Sequence, residues 1–248
     1  MWRELSKMPR GGGASRALYQ AFSSYGLDPS ERDVRRLFWR DDMENYNTVK
    51  WDPLGNATVA YVNNAPPAGA FEGDYVLRIQ NAVSPHIEAH VRFGCFKAQK
   101  IGFEMRWFKD AISYNSGFVE LIRCERDINI AIRGVLFWTT TRGDGTPGWR
   151  YYDSMGNIID IPGATEYILD DTWNYVKVII DWEKGTFHRL VTNLLDLDLS
   201  SLSLLSLSDV GYWHGGAGHF RVVVIFDCLG AGPWVQYIDD ARLYLNEV

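Results

Sequence analysis

The sequence predicts an all-β, antiparallel sandwich preceded by an N-terminal arm. Three observations carry that expectation. From Trp39 onward, runs rich in β-branched and aromatic residues follow one another, separated by Gly, Asn, Asp and Pro. In 101–108, Ile101, Phe103, Met105 and Trp107 alternate with Gly102, Glu104 and Arg106, which makes one face core and leaves the other for solvent. No second long helical pattern follows residue 38.

The arm, residues 1–38, is basic: Arg3, Lys7, Arg10, Arg16, Arg32, Arg35 and Arg36 outnumber its acids, and Gly11-Gly12-Gly13 breaks any regular element. Asp28-Pro29-Ser30-Glu31 reads as a helix start, with Asp28 as N-cap, Pro29 at the first helical position and acids at the positive end of the dipole. That short helix should end near Phe38. The arm cannot bury a core of its own, so it stays disordered, wraps the main domain or docks onto another subunit, the ordered options being favoured.

Strands are expected over 58–63, 75–81, 86–93, 101–108, 118–125, 128–140, 175–182, 187–192, 220–227 and 237–245. Lys184-Gly185 supplies the positive-φ position of a tight hairpin. Segment 194–209, LLDLDLSSLSLLSLSD, is either a strand edge or a loop pinned by its leucines. Residues 39–248 read as one domain, because sandwiches of this length commonly share one core.

Composition narrows the function. Hydrophobic residues make up 46% of the 248 residues and aromatics 14%, which fits a folded chain. A formal charge of -6 argues against nucleic acid and anionic membranes as partners, since both reward a basic surface. No apolar run is long enough to span a bilayer. Nor does the start carry an apolar stretch with a cleavage site, so the expectation is synthesis in a cytoplasm without a secretion signal, or a mature form that has lost one. Cys95, Cys124 and Cys228 contain no CxxC pair and read as buried thiols, with one bridge left open.

Three stretches together resemble a known superfamily. Arg40-Asp-Asp-Met-Glu44 with Trp51, the run 173–187 (WNYVKVIIDWEKGTF), and Tyr237-Ile-Asp-Asp-Ala-Arg-Leu-Tyr244 are similar to concanavalin A-like and carbohydrate-binding-module jelly rolls, laminin-G-like domains among them. The resemblance spans about residues 39–248. It implies that the first and last strands lie side by side and that acids from both hold a structural calcium. Asp42, Glu44 and Asp240 are then the candidate ligands, with Asp41 and Asp239 beside them; calcium takes 6–8 oxygens. The other reading is that these are edge charges or partners of Arg40 and Arg242. The same scaffold serves lectins, glycanases, lyases, adhesins and viral structural proteins, so fold does not choose among them.

Other candidates come from the residues themselves. In His86-Ile-Glu-Ala-His-Val-Arg92, strand geometry puts His86, Glu88, His90 and Arg92 on one face and Ile87, Ala89, Val91 and Phe93 in the core. His86 and His90 would stand roughly 13 Å apart and could not share an ion. They form a ligand-binding face, a pH-sensitive contact, or a solvent face of His–Glu and Glu–Arg pairs. Trp149, Tyr151, Tyr212 and Trp213 lie in or beside Gly-rich stretches and could stack on sugars, as could Trp138, Tyr152 and Trp234; alternatively they cap the sandwich or fill a subunit interface.

Catalysis is hard to assemble. Glycan hydrolysis needs two carboxylates about 5–10 Å apart, and the E-x-D-x-E strand motif of concanavalin-like hydrolases is absent, as are GxSxG, P-loop and GxGxxG patterns. Glu88 and Glu104 remain the least poor candidates. The expected function is therefore a non-catalytic assembly or adhesion module, such as a structural protein of a virion or surface assembly, with subunits tied through the arm. The alternative is a carbohydrate-binding module using loop aromatics, and the third reading is a glycan hydrolase or lyase.

Overall fold

The computed structural model describes residues 36–44, 49–63, 66, 69–94, 99–109, 114–125, 130–208, 219–228 and 232–246. The arm through residue 35 lies outside them, and with it most of the expected helix; where that helix was expected to end, residues 36–38 are extended instead and open the strand Arg36–Asp41. The described chain is all β. Its strands are β1 (Arg36–Asp41), β2 (Asp52–Pro53), β3 (Thr58–Asn63), β4 (Tyr75–Asn81), β5 (His86–Gly94), β6 (Lys100–Lys109), β7 (Tyr114–Glu125) and β8 (Ile130–Thr139). They continue as β9 (Gly148–Tyr152), β10 (Ile158–Thr165), β11 (Thr172–Asp181), β12 (Thr186–Thr192), β13 (Asp196–Asp198), β14 (Leu205–Ser208), β15 (His219–Cys228) and β16 (Trp234–Leu245). No helix among the described residues is long and apolar enough to cross a membrane.

Two antiparallel sheets face each other. Sheet A runs β13-β12-β11-β6-β16-β4-β3, with β1 also on β16; sheet B runs β10-β9-β8-β7-β15-β5-β2, with β14 also on β8. Strand β16 is long enough to carry β4 on its first half and β1 on its second, so the first and last strands are neighbours, Arg40 opposite Arg242 and Asp41 opposite Ala241.

Period-2 alternation decides what enters the core. Ile101, Phe103, Met105 and Trp107 of β6 meet Ile87, Ala89, Val91 and Phe93 of β5 and Phe220, Val222, Val224 and Phe226 of β15 in one cluster. Aromatic edges fix the packing: Trp39 lies 5.5 Å from Phe93, and Trp182 6.1 Å from Phe220. Gly134 of β8 is required by close approach, because a Cβ there would overlap Ile180 of the facing sheet.

The hairpin at Lys184-Gly185 joins β11 to β12, with Gly185 at φ 67°. The Leu/Ser segment does two things at once. Its start pairs with β12 as β13, its end pairs with β8 as β14, and Leu199 and Leu204 are buried between. It is one of the links that carry the chain from one sheet to the other.

Candidate functional site

The outer face of sheet A is built from the residues that alternate with the core set. Register stacks them in rows across β11, β6 and β16. Trp173, Phe108 and Tyr237 form an aromatic row, with ring centroids 5.6 Å and 6.5 Å apart in edge-to-face contacts. The next row is Tyr175, Arg106 and Asp239, and the third is Lys177, Glu104 and Arg242. Strand β4 extends the first row with Arg78, opposite Tyr237.

The third row is a charge cluster. Glu104, only 6% exposed, accepts hydrogen bonds from the hydroxyls of Tyr175 (2.9 Å) and Tyr244 (2.7 Å), with Lys177 at 3.8 Å and Arg242 at 3.5 Å. Lys177 also lies over the Tyr244 ring at 5.1 Å. A buried carboxylate persists only when paired and hydrogen-bonded, and these four groups meet both conditions.

Between Asp239 and Arg242 the β16 register slips by a bulge, where Asp240 holds φ 47°. Asp has a short polar side chain and tolerates that region better than most residues. The bulge sends the two carboxylates on separate errands. Asp240 sits between the directly opposed Arg40 and Arg242, accepting from Nε of Arg40 at 3.2 Å and from Arg242 at 2.8 and 2.6 Å. It thereby neutralises two like charges that would otherwise repel across the ladder. Asp239, fully buried, accepts the amides of Phe71 (2.8 Å), Glu72 (3.0 Å) and Asp240 (2.7 Å). Burial pushes the Asp239 carboxyl up to about 6 in spite of those amides.

Asp239 thus clamps a loop onto the face. Residues 69–74 are held at three points: Trp173 Nε1 donates to the Gly69 carbonyl (2.9 Å), Asp239 takes Phe71 and Glu72, and Glu44 accepts the amides of Asp74 (2.9 Å) and Tyr75 (3.0 Å). Gly73, at φ 71°, leaves room for Glu44, whose Oε1 a Cβ would overlap. The loop presents Phe71, 47% exposed, with its ring 3.7 Å from the Arg106 guanidinium. The same guanidinium lies 5.2 Å from the Tyr175 ring. Glu72 reaches Arg40 at 2.9 Å and Arg242 at 3.7 Å.

The acids at the start of the chain have individual tasks. Asp41, fully buried, accepts from the Tyr61 hydroxyl (2.6 Å), Trp51 Nε1 (3.1 Å) and the Met43 amide (3.2 Å), with Lys50 Nζ at 3.2 Å. Asp42 accepts the Glu44 amide at 3.4 Å. Asp42, Glu44 and Asp240, the expected calcium ligands, are not brought together, and among the described residues no three His, Cys, Asp or Glu side chains are placed to share a cation. Guanidinium and amide groups occupy the carboxylates instead.

The expected aromatic ligands divide. Trp149 and Tyr151 are corrected by the structure: they lie on β9, not in a loop, and are 2% and 8% exposed in the core. Strand alternation turns both inward, and Trp149 Nε1 is taken by the buried Glu166 at 2.5 Å. Neither ring is open to a sugar. Tyr212 and Trp213 lie outside the described residues. On β5, His86 and Glu88 do share the outer face of sheet B, with His86 2.7 Å from Asp227 and 3.7 Å from Glu88. His90, on the same face, is buried. Glu88 and Glu104 occupy opposite faces of the sandwich, and with sheets packed about 10 Å apart they cannot act as one carboxylate pair. Cys228 is buried, as expected, and its sulfur accepts from Gln236 Nε2 at 3.9 Å. Arg142 of the Arg-Gly-Asp triplet is buried too, donating to Ile161 O, Asp144, Thr146 and Thr165.

No family model matches the sequence, and no curated protein matches it. Solved structures do. A carbohydrate esterase from the Shiga toxin-encoding bacteriophage phi24B matches at TM-score 0.52 with 10% identity, over 86% of this chain and all of that one. A xylan-binding domain from Paenibacillus barcinonensis matches at 0.44 with 11% identity, over 87% of this chain and 98% of that one. An alginate lyase bound to alginate tetrasaccharide matches at 0.42 with 11% identity, over 80% and 97%. At such identities likeness concerns architecture alone, and the architecture shared with the esterase is a β-sandwich of two antiparallel sheets.

Proposed function

We propose that this chain binds a glycan on the outer face of sheet A. The observation that carries the reading is the pairing of aromatic rings with planar polar groups on one rigid face: Phe71, Trp173 and Tyr237 beside Arg106, Arg242 and Glu72. A pyranose offers C–H edges that pack on the negative face of a ring, and hydroxyls that want forked donors and acceptors. The loop at 69–74 is clamped before any ligand arrives, so little ordering entropy is spent on binding. Strand-borne side chains at fixed register supply the rest of the contact.

The test is a glycan array followed by calorimetry, with Phe71→Ala and Trp173→Ala as variants. An aromatic stack is worth about 0.5–1.5 kcal/mol, so each variant should weaken binding roughly two- to tenfold; Phe71→Ala should lose little melting temperature, whereas Trp173→Ala also removes the bond to Gly69 and the packing on Phe108 and should lose more. A silent array would overturn the proposal. Loss on Trp213→Ala with no change on Phe71→Ala would move the site to the stretch of sequence that contains Tyr212 and Trp213.

A further inference from the structure

We infer that the glycan carries a carboxylate and that Arg106 is the group that reads it; the inference rests on the binding face just described. The argument is an inventory of the charges on that face. Each acid is engaged. Asp239 has three amides, Asp240 and Glu72 each engage Arg40 and Arg242, and Glu104 has two phenols, Lys177 and Arg242. Arg106 is different. It stands directly opposite both Tyr175 and Asp239, yet among the described residues it makes no hydrogen bond and no ion pair, and its contacts are with two rings. Its Nε is buried without a partner. Its terminal nitrogens are not among the buried unpartnered atoms, so they reach the surface beside Phe71.

An unsatisfied guanidinium held flat by aromatic rings is pre-organised for a planar oxyanion, because its donors form a fixed fork that matches a carboxylate. Stacking leaves that in-plane edge unobstructed. A uronic acid suits both halves of the arrangement: its ring packs on the exposed side of Phe71 and its carboxylate takes the Arg106 edge. Arg78, on the same face beyond Tyr237, also has no ion pair among the described residues, and it adds positive potential along the row. The whole chain is acidic at -6, so a preference for anionic sugar cannot come from general attraction and must trace to these local cations.

Calorimetry on the full chain would use oligogalacturonate and alginate oligosaccharides, neutral xylo-oligosaccharide and dextran sulfate, with Arg106→Gln and Arg106→Lys alongside. Charge-assisted hydrogen bonds imply about a ten- to hundredfold loss of uronate affinity in Arg106→Gln. The ratio of uronate to neutral affinity should collapse, and Arg106→Lys should restore it only in part because a point charge lacks the fork. A neutral sugar binding as tightly as the uronates, or Arg106→Gln weakening both classes alike, would overturn the inference and leave glycan binding standing. Binding of dextran sulfate alone would overturn the carboxylate. Silence from every sugar would remove the glycan reading itself.

Discussion

Gly73→Ala tests how the loop at 69–74 is held. The substitution does two things. It puts an L side chain at φ 71°, which costs about 1–2 kcal/mol, and it places a Cβ onto Glu44 Oε1, so the carboxylate must leave the amides of Asp74 and Tyr75. Those bonds are solvent-exposed, so together they contribute about 1 kcal/mol. Gly55 provides the comparison: it has φ 61°, but a Cβ there meets nothing within 4 Å. Gly55→Ala should therefore carry the backbone cost alone. At about 2–4 °C per kcal/mol for a domain of this size, a backbone cost of about 1–2 kcal/mol should lower the melting temperature by about 2–8 °C for Gly55→Ala and by several degrees more for Gly73→Ala. In a Glu44→Ala background the excess should vanish, because the clash and the bonds are both gone. Glycan affinity should fall for Gly73→Ala and not for Gly55→Ala, since only the first frees Phe71. Equal melting losses in the two alanine variants, or an excess that survives Glu44→Ala, would refute the clamp.

Asp41→Ala should cost about 3–5 kcal/mol, because it strands Trp51 Nε1, the Tyr61 hydroxyl and Lys50 at a buried site; Asp41→Asn should cost less, and denaturant melts giving equal losses would count against the network. Asp239 sets a pH dependence: its carboxyl titrates near 6 in the fold against 3.8 ordinarily, so the fold holds a proton that the unfolded chain releases. Its stabilising contribution is full below about pH 4 and is lost as pH rises through 6. Relative to Asp239→Asn, the native chain should lose melting temperature from pH 4.5 to 7, and a constant difference would contradict the raised value. Chelation should leave melting unchanged, since Arg40 and Arg242 already neutralise Asp240 and backbone amides take Glu44; a fall in melting temperature on adding EDTA would restore calcium to this region.

The strand pattern was legible wherever alternation ran long. β3 and β4 match the expected 58–63 and 75–81, and β5 has the inward and outward sets read from its sequence. β9 and β10 were not legible, because five residues beside a Gly-rich turn look like loop and Pro162 and Gly163 interrupt the second strand. That is why Trp149 and Tyr151 read as open rings: only pairing with β8 turns them inward. Glu104 and Arg106 were already placed on the polar side of a strand, but sequence could not say what stood opposite them.

The sequence alone determined the all-β class, the antiparallel pattern and the β11–β12 hairpin, because periodicity and turn chemistry are local and a period of two assigns every residue to a face; that first and last strands are neighbours was implied only by the resemblance. Tertiary structure alone decided which acids on the outer face of sheet A are paired and, among the described residues, that Arg106 has only aromatic contacts. Asp239, Asp240, Glu72 and Arg106 are brought together by a bulge, a register and a loop that returns from residues 69–74. Charge balance depends on distances of a few ångströms between residues as far as 168 positions apart, and no spacing along the chain encodes that.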